Sequence, residues 1–189
     1  MYRHQNIDLR KLREDDLNLL FALKSESWGS THRISILTME DQVRWYKSLD
    51  PDVHCPKNLV LVASPVKSGE RIGIFKIFNI DWVSRTADVA WDVFKSYRKK
   101  GYGKKLVSAG SSFCFNVFNL HRLNCEILDI NVPSSKCAIH AGFKKEGVKR
   151  QSVIKYGRYT DSIVYGLLAD EFCSNPENID MIYNHPIYS

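Results

Sequence analysis

A short cationic turn, Arg98-Lys99-Lys100-Gly101-Tyr102-Gly103, stands between a β-type run that ends near Phe94 and a helical run over residues 103–118. At such a junction the first amides of the helix lack partners and its dipole favours negative charge, so the turn is suited to an anion. Glycines let the backbone approach a ligand closely. Lys95, Arg98, Lys99, Lys100, Lys104 and Lys105 crowd around the two glycines, which marks a local site rather than a general basic coat. Two nucleotide patterns fail on spacing. A dinucleotide fingerprint needs a third glycine where Leu106 stands, and a phosphate loop of the G-K-S/T type meets Lys105 after Gly103-Lys104. Taken alone, two glycines are an ordinary strand-to-helix turn and the lysines a solvated helix face.

The rest of the chain reads as alternating elements. Ile7 and Leu9 open a strand, and acidic Glu14, Asp15 and Asp16 precede a helix running to about Trp28. Thr38 and Asp41 have capping-box spacing for a second helix carrying Met39, Val43, Tyr46 and Leu49, stopped at Pro51. Residues 58–63, 71–80 and 86–94 form an antiparallel meander with turns between them. The helix over 103–118 leads to a strand over 123–131, a strand-helix-strand crossover. A short helix follows from Pro133 to Gly142, a strand starts at Phe143, and residues 153–156 and 159–168 close a hairpin around Gly157. Residues 174–189 show little periodicity.

The segment Val93-Phe94-Lys95-Ser96-Tyr97-Arg98-Lys99-Lys100-Gly101-Tyr102-Gly103 resembles the coenzyme A loop of the GNAT acetyltransferase superfamily, V-x-P-x-F/Y-R-x-x-G-x-G, departing only in Lys95 for proline. Asn131-x-x-Ser134, then Gly142-Phe143, Glu146-Gly147 and Arg150, resembles the ending of the branch that holds ribosomal-protein N-terminal acetyltransferases and spermidine N-acetyltransferase. The opening from Leu9 to Leu17 fits the same branch. The resemblance implies one α/β (α+β) domain: a central, mostly antiparallel mixed sheet, helices on both faces, and a splayed strand pair that binds the cofactor. The domain would cover residues 1–170, and 171–189 would be a C-terminal tail. The implied cofactor is acetyl-CoA, held by Val93, Arg98, Lys99, Lys100, Gly101, Tyr102, Gly103 and Lys104, with Asn131 on the pantetheine arm and Ser134 beside it. Read on their own, Asn131 is equally a helix cap and Ser134 a first-turn residue.

An ammonium cannot attack a thioester, so the reaction needs a proton acceptor. Glu126 lies five residues before Asn131, where relatives carry a proposed base, and alternation sets it beside Leu128 and Ile130 in an apolar setting. The alternative is a sheet-surface glutamate with no role. Asp92, with Asp88 on the same strand face, is the rival; either could instead be solvated or paired with a lysine. Many superfamily members place a tyrosine seven residues after that asparagine, where Ala138 stands here; either Cys137, His140 or Tyr156 substitutes as general acid, or none is needed because a thiolate leaves readily.

The residues from Leu37 to Tyr46 resemble a stretch of acetyltransferases acting on nucleotide-linked amino sugars, which would bring Arg44 and Trp45 to the acceptor; read on their own they are a capped amphipathic helix with Trp45 in the core. A net charge of +6 argues against spermidine and for a neutral or acidic amine. A nucleotide-linked amino sugar or similar small amine therefore ranks first and a peptide N-terminus second. A non-catalytic acyl-CoA-binding module is the reading of another class, and a nucleic-acid binder ranks last. Five scattered cysteines with no C-x-x-C pair indicate neither a disulfide framework nor a metal site, and the start carries no apolar leader. The expectation is a cytoplasmic monomer or homodimer with no membrane partner.

Overall fold

Residues 59 to 63 are apolar at every position because the strand they form is covered on both faces. Leu59, Leu61 and Ala63 join one buried cluster while Val60 and Val62 join another. In the computed structural model, which describes residues 1–32, 38–49, 52 and 54–174, eight strands form one sheet. They are β1 (Tyr2–His4), β2 (Ile7–Lys11), β3 (Leu59–Pro65), β4 (Gly73–Asp81), β5 (Thr86–Val93), β6 (Arg122–Leu128), β7 (Lys144–Lys155) and β8 (Arg158–Leu168), in the order β1-β2-β3-β4-β5-β6-β8-β7. Every neighbouring pair is antiparallel except β5 with β6. The expected mixed sheet with helices on both faces is what forms.

The helices are α1 (Leu17–Ser27), α2 (Met39–Lys47), α3 (Tyr102–Asn116), α4 (Val132–Ala141) and α5 (Ala169–Ser174). On one face Leu17, Leu20 and Leu23 of α1, with Val43 and Tyr46 of α2, cover Val60, Val62 and Ile74. On the other, Leu106, Val107 and Ala109 of α3 meet Phe75, Ile77 and Val89. Gly110 is required at that contact. A Cβ there would lie 2.4 Å from the Phe75 ring, so α3 rests directly on β4.

Several boundaries differ from the sequence reading. The first helix begins as a 3-10 turn over Glu14–Asp16, because Asp16 is drawn into ion pairs with Arg10 and Arg71. The polar start forms β1, joined to β2 by Gln5 and Asn6, both at positive φ (45° and 62°), a hairpin turn lacking the usual glycine. β6 stops at Leu128 rather than at 131, because Asn131 begins α4 as its N-cap. β7 is one strand where two were expected, its irregularities after Lys145 and Lys149 having broken the alternation that the sequence shows. Helix α5 continues past residue 170, and Phe172 packs in the core 5.3 Å from the Phe115 ring centroid. Pro51, Leu37 and residues 175–189 lie outside the described residues.

Candidate functional site

Strands β5 and β6 pair over three residues only, Thr86 to Asp88 against Arg122 to Asn124. Beyond that point β5 runs on to Val93 beside β4, and β6 runs on to Leu128 beside β8. The two strands therefore part, which leaves one edge of each without a strand partner. A cavity of about 900 Å³ opens between them, floored by residues 88–92 and 124–128 and walled by α1, α2 and the start of α4.

At the end of β5 the chain turns into α3 through the cationic loop. Lys99 and Gly101 have φ of 60° and 81°, and Gly101 is the N-cap residue, so the loop reaches the helix through a left-handed step. The Lys105 amide donates to the Gly101 carbonyl, leaving the amides of Tyr102, Gly103 and Lys104 without an acceptor inside the helix. Gly103 faces α4, where a Cβ would sit 2.9 Å from Cys137 Sγ. Arg98 Nε donates to the Val93 carbonyl at 2.9 Å, so its guanidinium braces the turn. Lys100 Nζ lies 5.8 Å from the Tyr97 ring, which packs edge-on against Tyr102. Lys95, in place of proline, donates its amide to Glu26 Oε2 at 3.3 Å, a bond from loop to α1 that proline could not make. Free amides at a helix start, flanked by exposed Lys99, Lys100 and Lys104, fit a diphosphate.

Asp92, Glu126, Asn131 and Ser134 line the cavity, as does Asp88. Their surroundings differ from the sequence reading. Asp92 is paired with Lys76, Nζ to Oδ2 at 3.2 Å, and both side chains are nearly buried. Asp88 accepts from Asn79 Nδ2 at 2.8 Å. Glu126 is not held among apolar side chains: it is half exposed and ion-paired with Lys149, and Ile130 lies beyond the end of its strand. Asn131 caps α4, its Oδ1 accepting from the Ser134 amide at 3.3 Å while Nδ2 donates to the Ser30 carbonyl at 3.0 Å. Both ends of that amide are thus engaged by the protein, which favours the cap over the ligand reading.

Ala138 is fully buried, and none of its three substitutes lines the cavity. Cys137 packs against Gly103, and burial raises its thiol pKa despite nearby Lys104, keeping it protonated. Tyr156 is exposed on the β7–β8 turn, its hydroxyl against Gly29. Arg44 pairs with Asp41 and points to solvent, whereas Trp45 does reach the cavity.

Three wall groups were invisible to the sequence. Lys76 sits in an apolar strand, 8% exposed, and looks like any strand lysine until Asp92 is opposite it. Lys24 lies 4.3 Å over the Trp45 ring and donates to Gln42 Oε1 at 2.7 Å, joining α1 to α2. His32, just after α1, meets Ser162 Oγ of β8 at 2.8 Å. No local pattern announces contacts made by residues so far apart in the chain.

The sequence profile of the acetyltransferase (GNAT) domain matches residues 6–144. The chain is 25% identical over 170 residues to an SPbeta prophage-derived uncharacterized N-acetyltransferase of Bacillus subtilis, covering 89% of this chain and 93% of the relative. It is 29% identical over 178 residues to a probable N-acetyltransferase of the same bacterium, covering 89% and 97%. Among solved structures, spermidine N-acetyltransferase from Vibrio cholerae in complex with CoA and spermine superposes with a TM-score of 0.82 at 18% identity, over 90% of this chain and 100% of that one.

Proposed function

The chain belongs to the GNAT acetyltransferases, an N-acetyltransferase that uses acetyl-CoA, and from that premise we propose that its acceptor is a small primary amine of neutral or acidic character, a nucleotide-linked amino sugar first among them. The observation that carries the proposal is the state of the acids around the cavity. Lys76 is on Asp92, Asn79 on Asp88, Lys149 on Glu126, and Thr38 with Arg44 on Asp41. A polycation such as the spermine bound by the Vibrio cholerae enzyme would meet carboxylates that already have partners. The α1–α2 wall carries positive charge in the Lys24 ammonium, which lies over the face of Trp45 while donating to Gln42. A flat, negatively charged substituent on the amine suits that pair.

The amides of Tyr102, Gly103 and Lys104 hold the diphosphate of the cofactor, and the unpaired edge of β5 up to Val93 takes its arm. Bound there, acetyl-CoA supplies an acetyl group activated as a thioester. The chain brings the amine to the floor between β5 and β6, where it attacks the thioester directly. Glu126 stands on that floor as an anion near the reacting nitrogen, and Asp92 with Lys76 keeps β5 in place. A cytoplasmic setting agrees with five free cysteines.

The test is release of free thiol from acetyl-CoA against amino sugars with and without a linked nucleotide, polyamines, and peptides with free N-termini. Turnover fastest with the nucleotide-linked sugar supports the proposal. Preference for spermidine or for peptides would replace the acceptor, and tight cofactor binding without turnover would leave a binding module.

A further inference from the structure

We infer that His32 is the group that takes the proton from the acceptor amine, with Glu126 as the anion behind it; this rests on the acetyltransferase reading and deepens it. His32 enters the cavity wall from the segment after α1, with about a third of its side chain exposed. Its Nε2 lies 2.8 Å from Ser162 Oγ and 4.0 Å from Glu126 Oε2. Ser162 is fully buried and its hydroxyl is 2.7 Å from Ser152 Oγ. We assign the row as Nε2–H donating to Ser162 and Ser162 donating to Ser152, which fits both distances. That assignment leaves the lone pair on Nδ1, the atom available to a proton.

The other acidic and basic groups near the floor are worse placed to act. Lys149 is on one oxygen of Glu126, and Lys76 is on Asp92. Burial lowers the His32 pKa below the usual imidazole value, Glu126 opposes that, and Lys155 and Lys149 reinforce it. A ring neutral at pH 7 can accept a proton, and Glu126 then faces the imidazolium so formed. Glu126 acts through His32 and is a positioning residue in this scheme.

The proton count closes. The ammonium form of the acceptor gives one proton to Nδ1, and the freed lone pair forms the C–N bond as the C–S bond breaks. The nitrogen sheds its second proton as the amide forms. One of the two protons ends on the departing sulfur and the other in solvent, so His32 returns to its neutral form.

The experiment compares full-length wild type with His32→Ala and Glu126→Gln, using the best acceptor from the panel. In His32→Ala, kcat/KM at pH 7 should fall about a hundredfold, the low end for loss of a general base. It should climb with pH toward the amine's own pKa, and it should rise on adding imidazole, while calorimetric affinity for acetyl-CoA stays unchanged. In Glu126→Gln the acid limb of the kcat/KM profile should move to lower pH, since the imidazolium has lost its counter-ion. An unchanged profile in Glu126→Gln, or a His32→Ala loss that neither pH nor imidazole relieves, overturns the assignment. Wild type that binds acetyl-CoA but acetylates no amine would instead remove the acetyltransferase reading beneath it.

Discussion

Lys76 on β4 and Asp92 on β5 face each other across adjacent strands, Nζ to Oδ2 at 3.2 Å, with only 10% and 13% of their side chains exposed. The pair lies in the cavity wall, so one ion pair both stabilises the sheet and shapes the site. Breaking it by Asp92→Asn leaves a nearly buried ammonium without its anion and should cost about 3 kcal/mol in denaturant unfolding. Replacing both residues by apolar ones, Lys76→Met with Asp92→Leu, should recover most of that loss. A single and a double variant of equal stability would show that loss of the counter-charge is not what destabilises the single variant.

The cofactor loop should fail through its backbone. Gly103→Val puts a branched side chain where even a Cβ lies 2.9 Å from Cys137 Sγ, pushing α4 from the loop amides. Acetyl-CoA affinity measured by calorimetry should drop at least about tenfold, the equivalent of about 1.4 kcal/mol. Wild-type affinity would mean that the diphosphate binds elsewhere.

Gly110 tests the packing of α3. Its substitution by Leu drives a side chain into the Phe75 ring, which lies 2.4 Å from the position of a Cβ. Overpacking of this kind costs about 1–3 kcal/mol, or more where backbone must move, and should appear as a lower melting temperature. Loss of activity with the melting temperature unchanged would contradict this account.

His4 gives the fold a pH limit. It is 6% exposed, its Nε2 has no hydrogen-bond partner, and burial lowers its pKa from 6.5 to about 4. Between those values the unfolded chain binds a proton that the folded one does not. Stability is therefore full above pH 6.5, falls as pH drops toward 4, and loses on the order of 3 kcal/mol in all. Asp16 behaves separately: burial opposes its ionisation, but Arg10, the Arg13 amide and Arg71 hold its pKa below the usual 3.8, so its contribution is lost only at lower pH. Melting temperatures from pH 7 to pH 4 should fall for wild type and fall less for His4→Phe, where the lowered pKa of His32 still contributes.

Much of the architecture could be read from residues close together in the chain. The cationic loop, the capping box of α2, the glycine stop of α4 and the two-sided run in β3 depend on local rules: where amides are unpaired, which φ a residue tolerates, and how side chains alternate. Boundaries slipped where tertiary partners overrode those rules. Asp16 left the first helix turn for Arg10 and Arg71, and β7 absorbed two irregularities by pairing along β8.

What the amino-acid order indicated by itself was the succession of strands and helices and the cationic turn, because each follows from backbone chemistry within one or two elements; their assembly into one sheet with helices on both faces was implied by the family resemblance. The tertiary structure alone decided which side chains share the cavity. Lys76 finds Asp92 only through the β4–β5 register, and His32 finds Ser162, 130 residues away, only because β8 is paired into the sheet beside β6. An ionisable group's chemistry is set by what stands within a few ångströms of it in space, and the spacing of residues along a chain does not contain that distance.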